Sequence, residues 1–397
     1  MVAERLQASG DSMRICLVYD CLFPYTVGGA ERWYRNLGER LAAEGHEVTY
    51  LTLRQWERGQ RGEVPGIRVV SMGPRMSLYA EAGRRRILPP LVFGLGVLWH
   101  LLWHGSRYDV VHTASFPYFS LLAAALLRPV RRFRLVVDWH EVWSRSYWIE
   151  YLGPLAGRVG DAVQTLCLRV PQRAFCFSQL HGRRLRERRV NGELTVLEGE
   201  YAGALEPSDP APAEPVVVFA GRHIPEKRVP ALIPALALAR ERIPELRAEV
   251  YGDGPERAEV LRLRAEHGLD GALEVFGFVP ADRVEGALRR ALCLVLPSRR
   301  EGYGLVVVEA AALGTPSVVV ADADNAATDL VSEGENGYVA ASASADDLAA
   351  AIERVHAEGH ALRERTAAWF RANAERLSLD SSLRRVLDSY AAASARR

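Results

Sequence analysis

The sequence predicts an α/β protein of two Rossmann-like parallel α/β domains facing a shared cleft, and three observations carry that expectation. The chain has 397 residues, roughly twice an ordinary single core. Short β-branched runs alternate with helix-patterned stretches along nearly all of it, which signals parallel sheets covered by helices. One proline-rich stretch, LEPSDPAPAEP, interrupts the alternation near the middle.

Taken in order, residues 1–12 form an extension without an apolar core, read as flexible. Residues 13–205 make the first domain, with strand signals RICLVY, EVTYLTL, IRVVS, DVVHT, FRLVVD, AFCF and TVL. After the linker, residues 206–375 restart the pattern with VVVFA, AEVYG, LEVFG, CLVLP, PSVVV and GYVA, and a helix is expected from Ala281 to Leu292. Residues 376–397 continue as helix and could pack on either domain. Open sheets of this kind bind ligands beyond the C-terminal ends of their strands, so the active site is expected between the domains.

Bulk composition narrows the function. With 49% hydrophobic and 25% charged residues the chain should fold throughout. A net charge of +1 gives no footprint for nucleic acid, which is not an expected partner. Five scattered cysteines without a C-x-x-C pair read as free thiols in a reducing compartment. The first dozen residues lack the core of a signal peptide, so a cytoplasmic protein is expected, or one peripheral at the inner face of the membrane. The segment 84–104 bears on that choice, because Arg84 to Arg86 precede an apolar run carrying Trp99 and Trp103. It is too short to span a bilayer and reads as a helix packed inside the first domain, or as one that also touches a membrane surface.

Several residues carry candidate chemistry. Gly28 and Gly29 precede a helix whose apolar face is Trp33, Leu37 and Leu41, so backbone amides there could approach a phosphate, although a plain turn explains them equally. Strand VVVFA runs into GRHIPEKR, which places Arg222 and Lys227 where two cations could close on a diphosphate. Lys227 is the only lysine among 50 basic residues, which suggests that a compact ammonium is needed there. In REGYGLVVVEAAAL, Glu301 and Glu309 flank a turn of Gly302, Tyr303 and Gly304. On an ideal helix they would lie about 12 Å apart, on the scale of an elongated ligand. The amides near Gly304 and Leu305 would offer a positive helix terminus, and the apolar neighbours of Glu309 make an unpartnered carboxylate costly. His112 and His140 stand at strand ends; lone histidines are more often structural. The loop after His140 holds Trp143, Tyr147, Trp148 and Tyr151, either a core strip or a stacking platform for an acceptor.

The segments GGAER, GRHIPEK, YGDGPER, FGFVP and EGYGLVVVEA, in this order, resemble the retaining glycosyltransferase family 4, whose fold is GT-B and whose signature is Glu-x7-Glu. The resemblance runs from Met13 to about His356. It implies Arg222 and Lys227 on a donor diphosphate, Glu301 on the donor hexose and Glu309 on the ribose. It also implies main-chain contacts from Tyr303, Gly304, Leu305 and Val306, Val279 beside the base, and a C-terminal helix returning to the first domain. His140 aligns with an active-site histidine of similar enzymes. Two departures stand out: LEGEY at Leu197 to Tyr201, where relatives often carry Pro-Asn-Gly, and DADNAATDL, where they often carry Gly-Gly.

The expected function is therefore transfer of a hexose from a nucleoside diphosphate sugar, with retention, to a sugar, lipid-linked or small-molecule acceptor. The nucleotide sugar is a substrate and no cofactor is expected. Asp322 and Asp324 form a D-x-D, which in another glycosyltransferase fold binds a metal, but Arg222 and Lys227 already supply positive charge and no metal is expected. The alternatives are a nucleotide-sugar epimerase on the same fold and a non-catalytic two-lobed sugar-binding protein. A nicotinamide oxidoreductase is disfavoured, because YGDGPER has Arg257 where a third glycine belongs.

Overall fold

The computed structural model describes residues 12–57, 59–78, 86–207, 209–210 and 212–394. The expected flexible extension lies almost wholly outside them. The first domain contains strands β1 (Arg14–Val18), β2 (Glu47–Thr52), β3 (Ile67–Ser71), β4 (Val110–Ala114), β5 (Arg134–Trp139), β6 (Arg173–Cys176) and β7 (Leu194–Val196). Its helices are α1 (Gly29–Ala43), α2 (Leu88–His104), α3 (Phe119–Arg131), α4 (Arg145–Leu152), α5 (Pro154–Arg169) and α6 (Gln179–Glu187). All seven strands pair in parallel in the order β3-β2-β1-β4-β5-β6-β7. The β1 run Ile15 to Val18 is buried, as expected of a central parallel strand covered on both faces.

The second domain contains β8 (Val216–Ala220), β9 (Arg247–Tyr251), β10 (Leu273–Val275), β11 (Cys293–Leu296), β12 (Arg300–Glu301), β13 (Ser317–Val320), β14 (Asp324–Asn325) and β15 (Gly337–Ala340). Its helices are α7 (Leu232–Arg240), α8 (Arg257–Glu266), α9 (Ala281–Arg290) and α10 (Leu305–Ala312). The main sheet runs β10-β9-β8-β11-β13-β15, and β12 pairs with β14 as a small ribbon of its own. Two parallel α/β domains are the fold class expected from the alternation of strand and helix signals. The two-residue strands β12 and β14 carry no sequence signal, because their pairing is set by the closing of the site around them.

The chain ends in α11 (Ala345–Leu377), kinked at Gly359, and α12 (Leu379–Ser394). Tyr201 donates its amide to Leu377 and accepts from that of Leu379, so the two crossings between the domains lie side by side. Helix α12 then rests on the first domain, where the Tyr390 hydroxyl lies 2.5 Å from His112 Nδ1.

Helix α2 buries Phe93, Val97 and Leu101 and leaves a second face open. Gly94 lets it approach α3 closely, since a Cβ there would stand 2.5 Å from that of Phe119. Among the described residues no helix is long and apolar enough to cross a membrane.

Candidate active site

The floor of the site lies at the C-terminal end of β5. Buried Asp138 accepts a 2.7 Å hydrogen bond from Trp33 Nε1 on α1 and stands 2.8 Å from His112 Nε2 on β4. Burial pushes its pKa up, but His112, His140 and the Trp33 hydrogen bond together outweigh it and the carboxyl is held below its ordinary range. Two residues on, the His140 ring lies flat on Phe177, with centroids 4.5 Å apart and planes 3° from parallel. Burial drives the His140 pKa down to about 4 against the attraction of Asp138 and Glu141, so the imidazole is neutral at physiological pH. Its Nε2 is buried without a hydrogen-bond partner among the described residues, a costly arrangement unless a ligand group completes it.

The opposite wall comes from the second domain. The loop after β8 carries Arg222, which is exposed, and a short turn that holds Lys227. Lys227 Nζ lies 2.5 Å from Glu301 Oε1, which also accepts a 2.7 Å bond from Ser298 Oγ. The one lysine, half-buried, therefore pairs with the buried first signature glutamate. The second glutamate sits differently from the ideal-helix expectation: Glu301 belongs to β12, and α10 begins only at Leu305. The break is local, because Gly304 has φ +103° and a Cβ there would come within 2.7 Å of that of Ala327. Leu305 and Val306 form the first turn of α10. Glu309 follows one turn on, its pKa raised by burial against the attraction of Arg32 from α1.

The two walls touch. A Cβ on Gly302 would stand 3.0 Å from the His140 carbonyl oxygen, and the Tyr303 hydroxyl donates a 2.5 Å bond to the Glu198 carbonyl. Gly28 caps α1 in an extended conformation, and Gly29 faces Glu200, whose Oε2 would lie 3.8 Å from an added Cβ. Val279 is half-buried in the loop before α9, and no hydrogen bond or ring contact ties it to these groups.

The aromatic segment expected as a loop is largely helix, with Tyr147, Trp148 and Tyr151 on α4 and Trp143 just ahead of it, and it is engaged in the seam between the domains. The Arg300 guanidinium sits 4.8 Å from the ring centroids of both Trp143 and Tyr147 and pairs with Glu141 and, at 3.4 Å, Glu226. The Tyr147 hydroxyl donates to Glu226 at 3.2 Å, and Tyr147 and Trp148 are buried. One face of Trp143 and of Tyr147 is thus covered by a cation rather than left open. Of the D-x-D, Asp324 pairs with Arg184 at 2.7 Å and Asp322 with Arg228 at 3.3 Å. No group of three or more metal-ligating side chains occurs among the described residues.

Three participants escaped the sequence reading: Asp138, Arg300 and Glu200. Burial pushes the Glu200 carboxyl up to about 8, with Asp138 adding to the rise. Its only sequence signal was the departure LEGEY, and Arg300 had none beyond its place next to Glu301.

Comparison with known proteins adds to this geometry. Residues 28–198 match the family described as "Glycosyl transferase 4-like domain", and residues 206–374 match "Glycosyl transferases group 1". A D-inositol 3-phosphate glycosyltransferase of Nocardioides sp. is 37% identical over 190 residues, 44% of this chain. That match spans 41% of the relative's own length. A glycogen synthase of Mycobacterium tuberculosis is 28% identical over 391 residues, covering 93% of this chain and 91% of the synthase. Among solved structures, a sucrose-phosphate synthase from Thermosynechococcus elongatus superposes with TM-score 0.78 at 21% identity, over 97% of this chain and 100% of that one. The Anabaena protein HepE, solved with UDP and glucose, superposes with TM-score 0.69 at 19% identity, over 95% and 99%. These likenesses place the fold among GT-B glycosyltransferases.

Proposed function

The chain belongs to the group 1 glycosyl transferases, with a glycosyl transferase 4-like domain ahead of the group 1 domain, and we propose that it moves a hexose from a nucleoside diphosphate sugar to an acceptor hydroxyl with retention at the anomeric carbon. The observation that carries this reading is the Lys227–Glu301 pair set beside the turn that abuts His140.

In this reading Arg222, Lys227 and the N-terminal amides of α10 at Leu305 and Val306 hold the diphosphate. Charge grows there as the bond from the anomeric carbon to the leaving oxygen breaks. The Gly28–Gly29 backbone at the start of α1 leaves room for the same phosphates. Glu301 accepts hydrogen bonds from hexose hydroxyls, Glu309 from the ribose, and Val279 lies beside the base. Neutral His140 uses its unpartnered Nε2 to orient a hydroxyl of donor or acceptor. As the new glycosidic bond forms, the acceptor proton passes to the departing phosphate, so no side chain need act as a covalent nucleophile. Protein cations meet the diphosphate charge, and turnover is expected to proceed without metal.

The acceptor is a glycolipid, a polysaccharide or a small-molecule glycoside. Trp143, Tyr147 and Trp148 border its side of the cleft, and Arg300 has to withdraw before the Trp143 face can stack on a sugar.

Nucleotide release from a panel of nucleoside diphosphate sugars, with and without candidate acceptors and chelator, tests the reading. Acceptor-dependent release that survives chelation is expected. Donor conversion without any acceptor would mean an epimerase, and activity that a chelator abolishes and manganese restores would reassign the diphosphate to Asp322 and Asp324.

A further inference from the structure

One face of the first domain gathers most of the exposed large apolar side chains among the described residues. The sheet order and the right-handed rule for parallel crossovers put the connections β3→β4, β4→β5 and β5→β6 on the same side of the sheet. Helices α2, α3 and α5 therefore lie side by side. They are tied together: Arg131 of α3 donates to the Leu102 carbonyl of α2, and the Tyr118 hydroxyl ahead of α3 donates to Gln164 of α5 at 2.9 Å.

Each of the three turns an apolar stripe outward. On α2, Leu95, Trp99 and Trp103 are 63–66% exposed and follow Leu88 and Leu91 at helical spacing. On α3 the outward residues are Leu126 and Val130, the latter 73% exposed. On α5 they are Leu155, at 78%, with Val159 and Leu166. Helices elsewhere look different. The outer faces of α1 and α8 carry ion pairs of mixed sign, Arg35–Glu39 and Arg40–Glu44 on one, and Arg262 with Glu259 and Glu266 on the other. A contiguous exposed apolar surface of this extent is uncommon on a monomeric protein and marks an interaction face.

Charge names the partner. From Arg86 to Val137 the sequence has six arginines and a single acid, Asp109, although the whole chain is near neutral. Asp109 is paired with Arg14. Arg107 and Arg131 border the Trp103 end of α2, and the exposed side of α5 adds Arg158 and Arg169. Between the C-terminal ends of α3 and α5 lies a shallow depression of ≈ 550 Å³ lined by Arg128, Arg132 and Arg134 with Phe133 and Pro171. Apolar side chains that can enter the acyl boundary, tryptophans at its edge and arginines around it are the parts of an interfacial membrane contact, which needs both apolar burial and attraction to anionic headgroups.

We propose that the face formed by α2, α3 and α5 docks the protein onto an anionic phospholipid bilayer, with Trp99, Trp103, Leu155 and Val159 in the interface and the arginines on lipid phosphates. The contact is broader than the segment 84–104. It deepens the proposed function by favouring a lipid-linked acceptor, but its test needs neither donor nor acceptor and so stands or falls separately.

The test is co-flotation with phosphatidylcholine vesicles and with vesicles containing phosphatidylglycerol, across a salt series. The expected result is binding to the anionic vesicles only, weakening as salt rises. Trp99→Glu with Trp103→Glu, and separately Leu155→Glu with Val159→Glu, should each lower vesicle affinity by about tenfold or more. Arg262→Glu, on α8 of the second domain, should leave it unchanged. Loss in the α2 variant with full binding by the α5 variant would overturn the three-helix face. Absence of flotation, with a dimer in light scattering that both double variants dissolve, would make the face a contact between copies and overturn the membrane partner. Binding that survives both double variants would also overturn the proposal.

Discussion

Lys227 is the one ammonium in a chain that otherwise uses guanidinium groups, and it spends its charge on Glu301 at 2.5 Å inside the site. A planar fork cannot replace a compact ammonium between a buried carboxylate and a diphosphate without shifting one of them. Lys227→Arg is therefore expected to lose about ten- to hundredfold in kcat/KM, the worth of one charge-assisted hydrogen bond of about 1.5–3 kcal/mol, and Lys227→Ala more. Wild-type kinetics in the arginine variant, with an unchanged melting curve, would make the lone lysine a compositional accident. The two glutamates should separate by kinetic parameter: Glu301→Gln mainly lowers kcat, whereas Glu309→Gln mainly raises the nucleotide Kd by calorimetry. The reverse pattern would turn the donor around. At this scale much of the candidate site was legible, because Lys227, Glu301 and His140 stand out by type and place along one strand or turn. Arg300 and Glu200 were not legible, since what distinguishes them is tertiary proximity, across the domain seam to Trp143 and Glu141 for one and within the first domain to Gly29 and Asp138 for the other.

Secondary elements show the same division between local signal and tertiary control. The main strands were readable because buried parallel strands need uninterrupted β-branched runs, and VVVFA or RICLV has no other use. The start of α10 was readable too, from the turn at Gly302 to Gly304, but the ideal-helix spacing was not met, because Glu301 lies on β12 ahead of that turn. Gly304 sets where the turn ends and the helix begins. Gly304→Ala puts a side chain into a left-handed conformation, at φ +103°, and against Ala327. It is expected to destabilise the protein by about 1–3 kcal/mol and to lower turnover as well, since the signature glutamates would shift relative to each other. A thermal melt paired with kinetics on the surviving folded fraction checks this, and an alanine variant with native stability would show that the turn has another way to close. The open stripe of α2 was visible as an apolar run, yet only the packing of Phe93, Val97 and Leu101 shows which side faces water.

At the scale of the whole molecule, closing two domains over one cleft buries titratable groups whose ordinary pKa values it must then oppose, and stability should depend on pH in two opposed windows. Burial drives His140 and His181 there, and His100 on α2 away from the cleft, down to about 4, while in the unfolded chain each takes up a proton near 6.5. Their contribution is thus full above about pH 6.5 and is lost as pH falls from there toward 4. Glu200 works the other way. Its folded pKa is pushed up to about 8, whereas an unfolded glutamate releases its proton near 4.3, so its contribution is full in acid and is lost as pH rises between those values. Between pH 6.5 and 8 the histidines no longer change and Glu200 alone among these groups still costs stability. Replacing it with glutamine, which cannot ionise, should raise Tm relative to wild type at pH 8, and the advantage should shrink steadily toward pH 5. His140→Gln should do the opposite, flattening the acid limb below pH 6.5 and leaving the alkaline limb intact. Melting curves of the three proteins from pH 4.5 to 8.5 decide the matter. A Glu200→Gln advantage that is the same at every pH would mean that the carboxyl is ionised throughout, open to solvent, and that the cleft is wider at that point than the approach of Glu200 to Gly29 allows.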